Sequence, residues 1–336
     1  MTERPLFIDA LQSSNWDRAR FEELRAGQLS AVHVTIAYWE DARTTLSTLG
    51  RWRRLFREHA DLILPGRSGA DIEAAHRAGK TAVVLGAQNC SPIDDELGLV
   101  EVMHDLGLRI MQLTYNNQSL IGAGCYEPED SGISRFGREV IREMNRVGMI
   151  VDLSHSAERT SLEAIEISER PVAITHANPS AWHPALRNKS DRLLAALAES
   201  GGMLGFSVYP LHLAGGGDCT LAAFTEMVAR SAERLGVERI GLGSDLCMGW
   251  GYDKLEWMRS GRWTFAPDYG EGTAEKPGWP DQPDWIRTPA DIPNIAEGLA
   301  ARGFSTEDVA RIMGGNWLRF FTEGFAPRES APATRA

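Results

Sequence analysis

Two histidines stand at equivalent places in the sequence, each at the end of a short apolar run. His155 ends the run in RVGMIVDLSHS, and His176 ends the run in RPVAITHANPS. Imidazole nitrogens bind zinc and also serve as general acids and bases. If the two runs are neighbouring parallel strands, about 4.8 Å apart, both rings can reach one ion. The pattern predicts a metal site, against the alternative that each histidine is a hydrogen-bonded structural residue.

Other polar side chains also follow apolar runs. Gln88, Tyr115 and Asp245 end the runs TAVVLGAQ, RIMQLTY and RIGLGSD. We expect Asp245 to face the histidines and move a proton, and Gln88 and Tyr115 to contact substrate. Arg187, in HPALRNKSD, can clamp a carboxylate through two parallel hydrogen bonds. The alternatives are a capping role for Asp245, rim packing for Tyr115 and a surface position for Arg187.

The elements that must position these residues alternate between strands and helices. Amphipathic stretches such as SRFGREVIREMNRVG separate the apolar runs. This alternation predicts one TIM-type (β/α)8 barrel of the α/β class, with the polar strand ends at the carboxyl-terminal mouth. A doubly wound open sheet is the competing fold, but the chain lacks its GxGxxG turn. The eight predicted strands lie at 6–11, 31–38, 81–88, 109–115, 149–155, 171–176, 203–209 and 239–245.

Two insertions and a tail interrupt the alternation within a single predicted domain, residues 1–325. Residues 41–80 read as two helices outside the barrel. Residues 247–288 contain five of the ten tryptophans, which predicts a lid over the barrel mouth, a subunit contact, or both. Residues 326–336 are predicted to be a disordered tail.

Composition excludes several classes of protein. The formal net charge of −11 argues against a nucleic-acid partner, because phosphate binding needs a basic surface. The four cysteines show no CxxC spacing, which is typical of a reducing compartment. Neither a signal peptide nor an apolar run of membrane-spanning length is found, so we expect no membrane partner and a cytoplasmic location.

Several motifs together resemble one family. In order, FGREVIREMNRVGMIVDLSHSAERT, RPVAITHANPSAWHPALRNKSD, GGMLGFSVY, IGLGSD and MGGNWLRFF are similar to the membrane (renal) dipeptidase family of the amidohydrolase superfamily. The resemblance implies the same barrel and dipeptide hydrolysis by two zinc ions that a glutamate bridges. By position, His155 and His176 match the ligands of one zinc, and Asp245 matches the proton-transferring aspartate of the other. Arg187 and Asn188 match the pair near the substrate carboxylate.

The chain departs from the family pattern at three places. Leu11 and Ser13 replace an HxD pair after the first strand, Gln88 replaces the bridging glutamate, and Tyr115 replaces a substrate-contacting histidine. Two divalent ions need several anionic or imidazole ligands, so we expect the first zinc position to be empty and a two-metal site to be absent.

His155 and His176 could still bind one divalent ion, for which zinc is the expected metal. Asp245, a water or the substrate would complete its coordination, and a thiolate from Cys90 or Cys247 is a further alternative. The sequence leaves open that no metal binds.

The function expected from these residues is metal-dependent hydrolysis of a small peptide or amide with a free carboxylate. The alternatives are a catalytically silent relative that binds a small carboxylated ligand and a relative with non-hydrolytic chemistry. A homodimer is expected from the resemblance and from the tryptophan-rich segment.

Overall fold

Parallel strands form the centre of the protein. The computed structural model describes residues 4–262 and 270–327. Its nine strands are β1 (Phe7–Gln12), β2 (Leu29–Ala37), β3 (Ile63–Pro65), β4 (Thr81–Ala87), β5 (Leu108–Gln112), β6 (Ile150–Asp152), β7 (Ala173–Ile174), β8 (Met203–Phe206) and β9 (Ile240–Leu242). All pairings between these strands are parallel.

Eight of these strands close into a barrel, which confirms the predicted TIM-type (β/α)8 fold. The order around the wall is β1, β2, β4, β5, β6, β7, β8 and β9, and β9 pairs with β1 through Leu242 and Asp9. The eight strands are those predicted from the apolar runs. The ninth, β3, pairs with β4 beside the wall and was not predicted, because three residues that end in a proline carry no strand periodicity.

Helices cover the outside of the barrel, and two of them lie at its floor and at its mouth. They are α1 (Arg18–Ala26), α2 (Ala42–Glu58), α3 (Gly69–Arg77), α4 (Leu99–Leu106), α5 (Arg135–Val147), α6 (Glu158–Ile167), α7 (Asp191–Glu199), α8 (Leu221–Leu235), α9 (Tyr252–Ser260), α10 (Pro293–Arg302), α11 (Thr306–Ala310) and α12 (Asn316–Gly324). The helix at the floor is α12, and the helix at the mouth is α9. Several helices begin at a side-chain cap; Ser134, for example, accepts the backbone N–H of Gly137 at the start of α5. The segment 41–80 holds α2 and α3, with β3 between them.

Except for β1, the barrel strands end earlier than their apolar runs. The run predicted at 149–155 forms a strand only over Ile150–Asp152. Asp152 Oδ1 accepts the backbone N–H groups of Ser154 and Thr175 at 3.0 and 3.1 Å. The Asp152 side chain thus accepts backbone N–H groups that would otherwise bond the carbonyls of neighbouring strands. The strand therefore ends before His155.

The buried apolar residues of the described ranges form two large clusters and a small one of Tyr38, Trp39 and Tyr115. The largest cluster lies between the strands and the surrounding helices. The second large cluster fills the floor of the barrel, where inward-facing residues such as Ile8, Ala31 and Ile110 meet aromatic residues of and after α12. The Nε1 of Trp317 donates to the Leu242 carbonyl at 2.9 Å, and a Cβ at position 241 would lie 2.3 Å from this nitrogen, so only glycine fits there.

Removing a floor aromatic is expected to destabilise the whole barrel. Phe321 is fully buried and its ring stacks between Trp317 and Phe325, with centroids 5.2 and 5.1 Å away. Phe321→Ala should lower the free energy of unfolding by about 3–5 kcal/mol, measured by urea unfolding. Leu46→Ala, at a side chain 47% exposed on α2, is the control and should change it by about 0.5 kcal/mol or less. Equal effects of both variants would contradict the floor assignment.

Two sequence predictions fall partly outside the described residues. The predicted disordered tail, 326–336, is described only as far as residue 327, and Trp263 of the tryptophan-rich segment lies in the gap at 263–269. Within the described ranges, no helix combines the length and the apolarity needed to cross a membrane.

Candidate active site

A cavity opens at the carboxyl ends of the barrel strands. Five predicted site residues line it, and they arrive on different connections after the strands. They are Gln88, Tyr115, His155, Arg187 and Asp245. His176 lies against His155, and Asn188 is not among the lining residues. The placement brings a histidine pair, an arginine and a carboxyl group together at the barrel mouth.

The two histidines meet through their Nε2 atoms. These atoms are 3.2 Å apart, and both side chains are buried. Two ligand nitrogens at zinc–nitrogen distances of 2.0–2.1 Å and a tetrahedral angle lie about 3.3 Å from each other. The separation therefore suits two ligands of one ion. On the opposite side of each ring, His155 Nδ1 is 2.6 Å from Asn116 Oδ1, and His176 Nδ1 is 2.8 Å from Thr175 Oγ1.

The surroundings keep both histidines neutral. Burial lowers the pKa of His155 and of His176 well below the usual value, and the Arg187 guanidinium lowers both further. Neutral imidazole is the form that binds a metal ion. Among the described residues, however, no group of three or more histidine, cysteine, aspartate or glutamate side chains is arranged as a metal site. The protein thus offers an ion two nitrogen ligands and a cavity.

Asp245 combines an unusual backbone conformation with a shifted pKa. Its φ is +59°, in the left-handed region, and Asn116 across the cavity has a φ of +58°. Such conformations cost about 1 kcal/mol or more and cluster at functional sites. Burial raises the pKa of Asp245 to about 7, an increase that Arg187 opposes and Asp9 supports. A carboxyl group with this pKa can both accept and donate a proton near neutral pH.

Arg187 is buried, with 1% of its surface exposed, and points into the same cavity. Nη1 donates to the Ser154 carbonyl, and Nη2 donates to the His176 carbonyl at 3.0 Å. Nε has no hydrogen-bond partner among the residues described. Because a guanidinium carries five N–H groups, donors remain for a ligand after these two bonds.

Asn188 holds the loop that carries Arg187. Its Nδ2 donates to the carbonyls of His183 and His212 at 2.9 and 3.0 Å, and its Oδ1 accepts the Asn178 backbone N–H at 3.1 Å. Contact of Asn188 with substrate stays a prediction. The next residue, Lys189, is buried and donates from Nζ to the Ser156 carbonyl at 2.9 Å. Burial, with the nearby Arg187 charge, lowers the pKa of Lys189 to about 7.

The positions where the family resemblance implies further metal ligands hold neutral groups. Leu11 is fully buried, the Ser13 hydroxyl bonds the Tyr38 hydroxyl, and Gln88 Nε2 donates to Thr35 Oγ1 at 2.7 Å. Tyr115 packs on His155, with ring centroids 4.2 Å apart. Tyr115 also meets Tyr38 edge-on at 5.1 Å. Aromatic rings and hydroxyl groups therefore line this side of the cavity.

The two cysteines considered as further ligands differ in position. Cys247 lines the cavity and Cys90 does not. Burial raises the pKa of Cys90 to about 11 and that of Cys247 well above its usual value, so both are thiols at neutral pH.

Part of the tryptophan-rich segment covers the mouth. Leu255 and Met258 of α9 line the cavity. Trp39 Nε1 donates to the Met258 carbonyl at 3.3 Å, and Trp257 Nε1 donates to Glu40 Oε1 at the same distance. These bonds tie α9 to the end of β2 and give this part of the segment the position of a lid.

Sequence reasoning missed three residues of the site. Asn116 orients His155, Lys189 lies behind Arg187, and His212 lines the cavity from a short turn after β8. The Asn-Asn pair at 116 and 117 is a turn signal that marks a left-handed residue. No local pattern marks His212, because only the tertiary fold brings its turn to the cavity.

Acid is expected to destabilise the metal-free protein through its buried histidines. Burial lowers the pKa of His33 to about 4 and holds the pKa values of His155, His176 and His212 well below their usual value. As the pH falls below about 6.5, the unfolded chain therefore binds a proton at each of these four histidines before the folded chain does. Asp245 offsets the effect of one histidine. Because its pKa is raised in the folded chain, the folded chain binds a proton at Asp245 at a higher pH than the unfolded chain does. The free energy of unfolding should therefore fall as the pH falls below about 6.5, by ~1.4 kcal/mol per pH unit for each net proton that only the unfolded chain binds.

Urea unfolding of the metal-free protein at pH 7.5, 6.0 and 5.0 measures this slope. His33→Gln removes one of the four histidines. The slope of the free energy of unfolding against pH should therefore decrease by the contribution of about one proton. A free energy of unfolding that stays constant from pH 6.5 to 5 would contradict the assignment of neutral buried histidines.

The closed parallel barrel, with histidines and a carboxyl group at its carboxyl-terminal mouth, defines the class of (β/α)8 enzyme-like proteins. The profile of one family, Membrane dipeptidase (Peptidase family M19), matches residues 8–258. The chain belongs to this family.

Individual relatives agree with this assignment. The crystal structure of an amidohydrolase from Pseudomonas aeruginosa superposes with a TM-score of 0.91 at 37% identity, over 96% of this chain and 97% of that one. A metallopeptidase from Rhodobacter sphaeroides, bound to a phosphinate mimic of the dipeptide L-Ala-D-Ala, has a TM-score of 0.78 over 95% and 99% of the two chains. At 18% identity it supports the fold alone.

The dipeptidase tcpJ of Claviceps purpurea is 28% identical over 284 residues. The match covers 84% of this chain and 60% of the length of that relative.

Proposed function

We propose that the protein is a dipeptidase-like hydrolase that uses one divalent metal ion, zinc, on His155 and His176. Its substrate is a small peptide or amide with a free carboxylate. The observation that carries this proposal is the pair of Nε2 atoms, 3.2 Å apart, beside a cavity that Asp245 and Arg187 also line. Family membership and the similarity to dipeptidases support the same reaction class.

A second ion does not fit the residues present. Leu11 has no ligand atom, Ser13 is bonded to Tyr38, and Gln88 supplies a neutral amide where a bridging carboxylate would be needed. Asp245 and Glu271 are the only carboxyl groups among the described residues that line the cavity. We therefore propose that hydrolysis proceeds without the two-ion arrangement that the family resemblance implies.

Each remaining residue has a defined task in this proposal. When bound, the ion supplies a Lewis acid that polarises the carbonyl and lowers the pKa of a water. Arg187 holds the substrate carboxylate with its unused N–H groups. Asp245, with a pKa of about 7, accepts a proton from water and returns it to the leaving amine. Tyr115 stays protonated, because burial raises its pKa well above 10, and donates a hydrogen bond to substrate.

Gln88 has one free polar atom toward the substrate. Its Nε2 is taken by Thr35, so Oε1 remains as an acceptor for a peptide N–H. Because Asn188 is bonded to backbone groups, it contributes chiefly by holding Arg187 in place.

A substrate panel with metal analysis tests the proposal. The protein is expressed with added zinc, its metal content is measured, and dipeptides are compared with their C-terminal amides. We expect about one equivalent of zinc, and a kcat/KM for the free acids that is about 10²-fold or more above that for the amides. If the protein contains about one equivalent of zinc but hydrolyses neither the dipeptides nor their amides, the proposed hydrolase activity is disproved.

The second candidate is a catalytically silent relative that binds a small carboxylated ligand. The replacement of the HxD pair by Leu11 and Ser13 and of the glutamate by Gln88 favours it. Thermal stabilisation by dipeptides and their isosteres, without metal and without turnover, would support this candidate over the first.

Cellular location and assembly remain predictions. We propose a cytoplasmic homodimer in which part of the tryptophan-rich segment contributes to the contact. Light scattering after size-exclusion chromatography measures the assembly, and a monomer at micromolar concentration would contradict it.

A further inference from the structure

We propose that Asp152 and Thr175 form a relay that fixes the tautomer of His176, so that its Nε2 lone pair faces the Nε2 lone pair of His155. The identity of the ion rests on the function proposed above. The proton positions follow from the hydrogen bonds of this chain alone. Asp152 and Thr175 are thus positioning residues, which act through His176 and not on the substrate.

Asp152 is the origin of the relay. It lies two residues after Ile150, whose side chain faces the barrel floor, so Asp152 faces the interior one layer nearer the mouth. The carboxylate is fully buried and accepts four hydrogen bonds. Two come from the backbone N–H groups of Ser154 and Thr175, one from the Ser154 hydroxyl at 2.6 Å, and one from the Thr175 hydroxyl at 2.5 Å.

Thr175 has one hydroxyl proton and three neighbours that could receive it. Oγ1 is 2.5 Å from Asp152 Oδ2, 2.8 Å from His176 Nδ1 and 3.2 Å from Ser154 Oγ. The charged and closest acceptor takes the proton, because hydrogen bonds to a carboxylate are about twice as strong as neutral ones. Toward His176, Oγ1 is therefore an acceptor, and Nδ1 must carry the hydrogen. A neutral imidazole has only one N–H, so His176 Nε2 is a lone pair.

A different hydrogen bond fixes His155 in the same tautomer as His176. Its Nδ1 is 2.6 Å from Asn116 Oδ1, which can only accept, so Nδ1 donates and Nε2 is a lone pair. Two lone pairs at 3.2 Å cannot form a hydrogen bond with each other and repel. The protein thus holds the pair in the form that a cation needs before the cation arrives, which is preorganisation of a site by its surroundings.

Imidazole nitrogen NMR of the metal-free protein tests the proton positions directly. Protein labelled with ¹⁵N-histidine is measured, and the signals are assigned with single histidine variants. We expect the Nδ1–H form for both His155 and His176. A proton on Nε2 of His176, with an Nε2–H···Nε2 hydrogen bond between the rings, would overturn the relay.

Matched variants test the effect on metal binding. Thr175→Val removes the hydroxyl at constant shape, and Thr175→Ser keeps it. Thr114→Val removes a buried hydroxyl whose hydrogen-bond partner is the Ser156 hydroxyl, at 3.0 Å. Co²⁺ titrations, followed by visible absorption, should show binding weakened by about 10- to 100-fold in Thr175→Val and near wild type in the other two. Unchanged affinity and tautomer in Thr175→Val would overturn the proposal.

The two proposals can fail separately. The tautomers and Co²⁺ affinities are measured without substrate, so they do not depend on turnover. If both histidines carry Nδ1–H and no dipeptide is hydrolysed, the relay stands and the proposed hydrolase is wrong.

Discussion

His155→Ala is expected to abolish both bound zinc and peptide hydrolysis. The substitution leaves His176 as a single nitrogen ligand, and one protein ligand does not hold zinc against water at neutral pH. It also removes the ring on which Tyr115 packs and the partner of Asn116. Metal content by elemental analysis should fall from about one equivalent to background, and kcat/KM should fall at least ~10³-fold.

Two controls separate the loss of a ligand from general damage. His104→Ala changes a histidine on α4, outside the cavity, and should leave both quantities near wild type. His155→Gln keeps much of the side-chain volume and should also lose the metal. Retained turnover in His155→Ala would contradict the proposed chemistry even if the protein still contained zinc.

Arg187→Met is expected to remove the preference for substrates with a free carboxylate. Methionine keeps most of the buried length but has no donor, so the carboxylate loses its paired hydrogen bonds. For free dipeptides, kcat/KM should fall by about 10²- to 10³-fold, which corresponds to ~3–4 kcal/mol. For the matching C-terminal amides, any activity should change little, because they never had this interaction.

The comparison with Arg187→Lys isolates the geometry of the guanidinium. Lysine keeps the positive charge but cannot form two parallel bonds, so it should restore only part of the loss. Because Arg187 also bonds the carbonyls of Ser154 and His176, the free energy of unfolding is measured for both variants. An equal loss for free and amidated dipeptides would assign Arg187 to the structure of the mouth and not to substrate.

The barrel could be predicted from sequence because its signal is local. Each apolar run marks one strand, and the amphipathic stretches between them require parallel connections. The ends of the strands could not be predicted from the same signal. The apolar run continues through Leu153, but Asp152 takes the backbone N–H groups that the ladder would use, and this contact joins residues of two different strands.

The site, like the barrel, could be predicted from the sequence only in part. The proximity of His155 and His176 follows from two neighbouring strands, and the sequence contains both strands. The contacts that hold the rings do not follow, because Asn116 reaches His155 from the preceding connection, in a left-handed conformation. The packing of Tyr38 against Tyr115 also depends on β2 and β5 together. Such pairs have no sequence periodicity and become visible only in the folded chain.

The floor of the barrel has a consequence for how the chain reaches its native state. The wall closes only when β9 pairs with β1, and the apolar floor is sealed by α12, which contacts β1 and β9. During synthesis, the first strands therefore leave the ribosome long before their closing partners exist, with Ile8 and Ala31 still exposed to water. Folding of this domain is expected to finish only after α12 has left the ribosome, and the open wall is the stage at which aggregation competes with it.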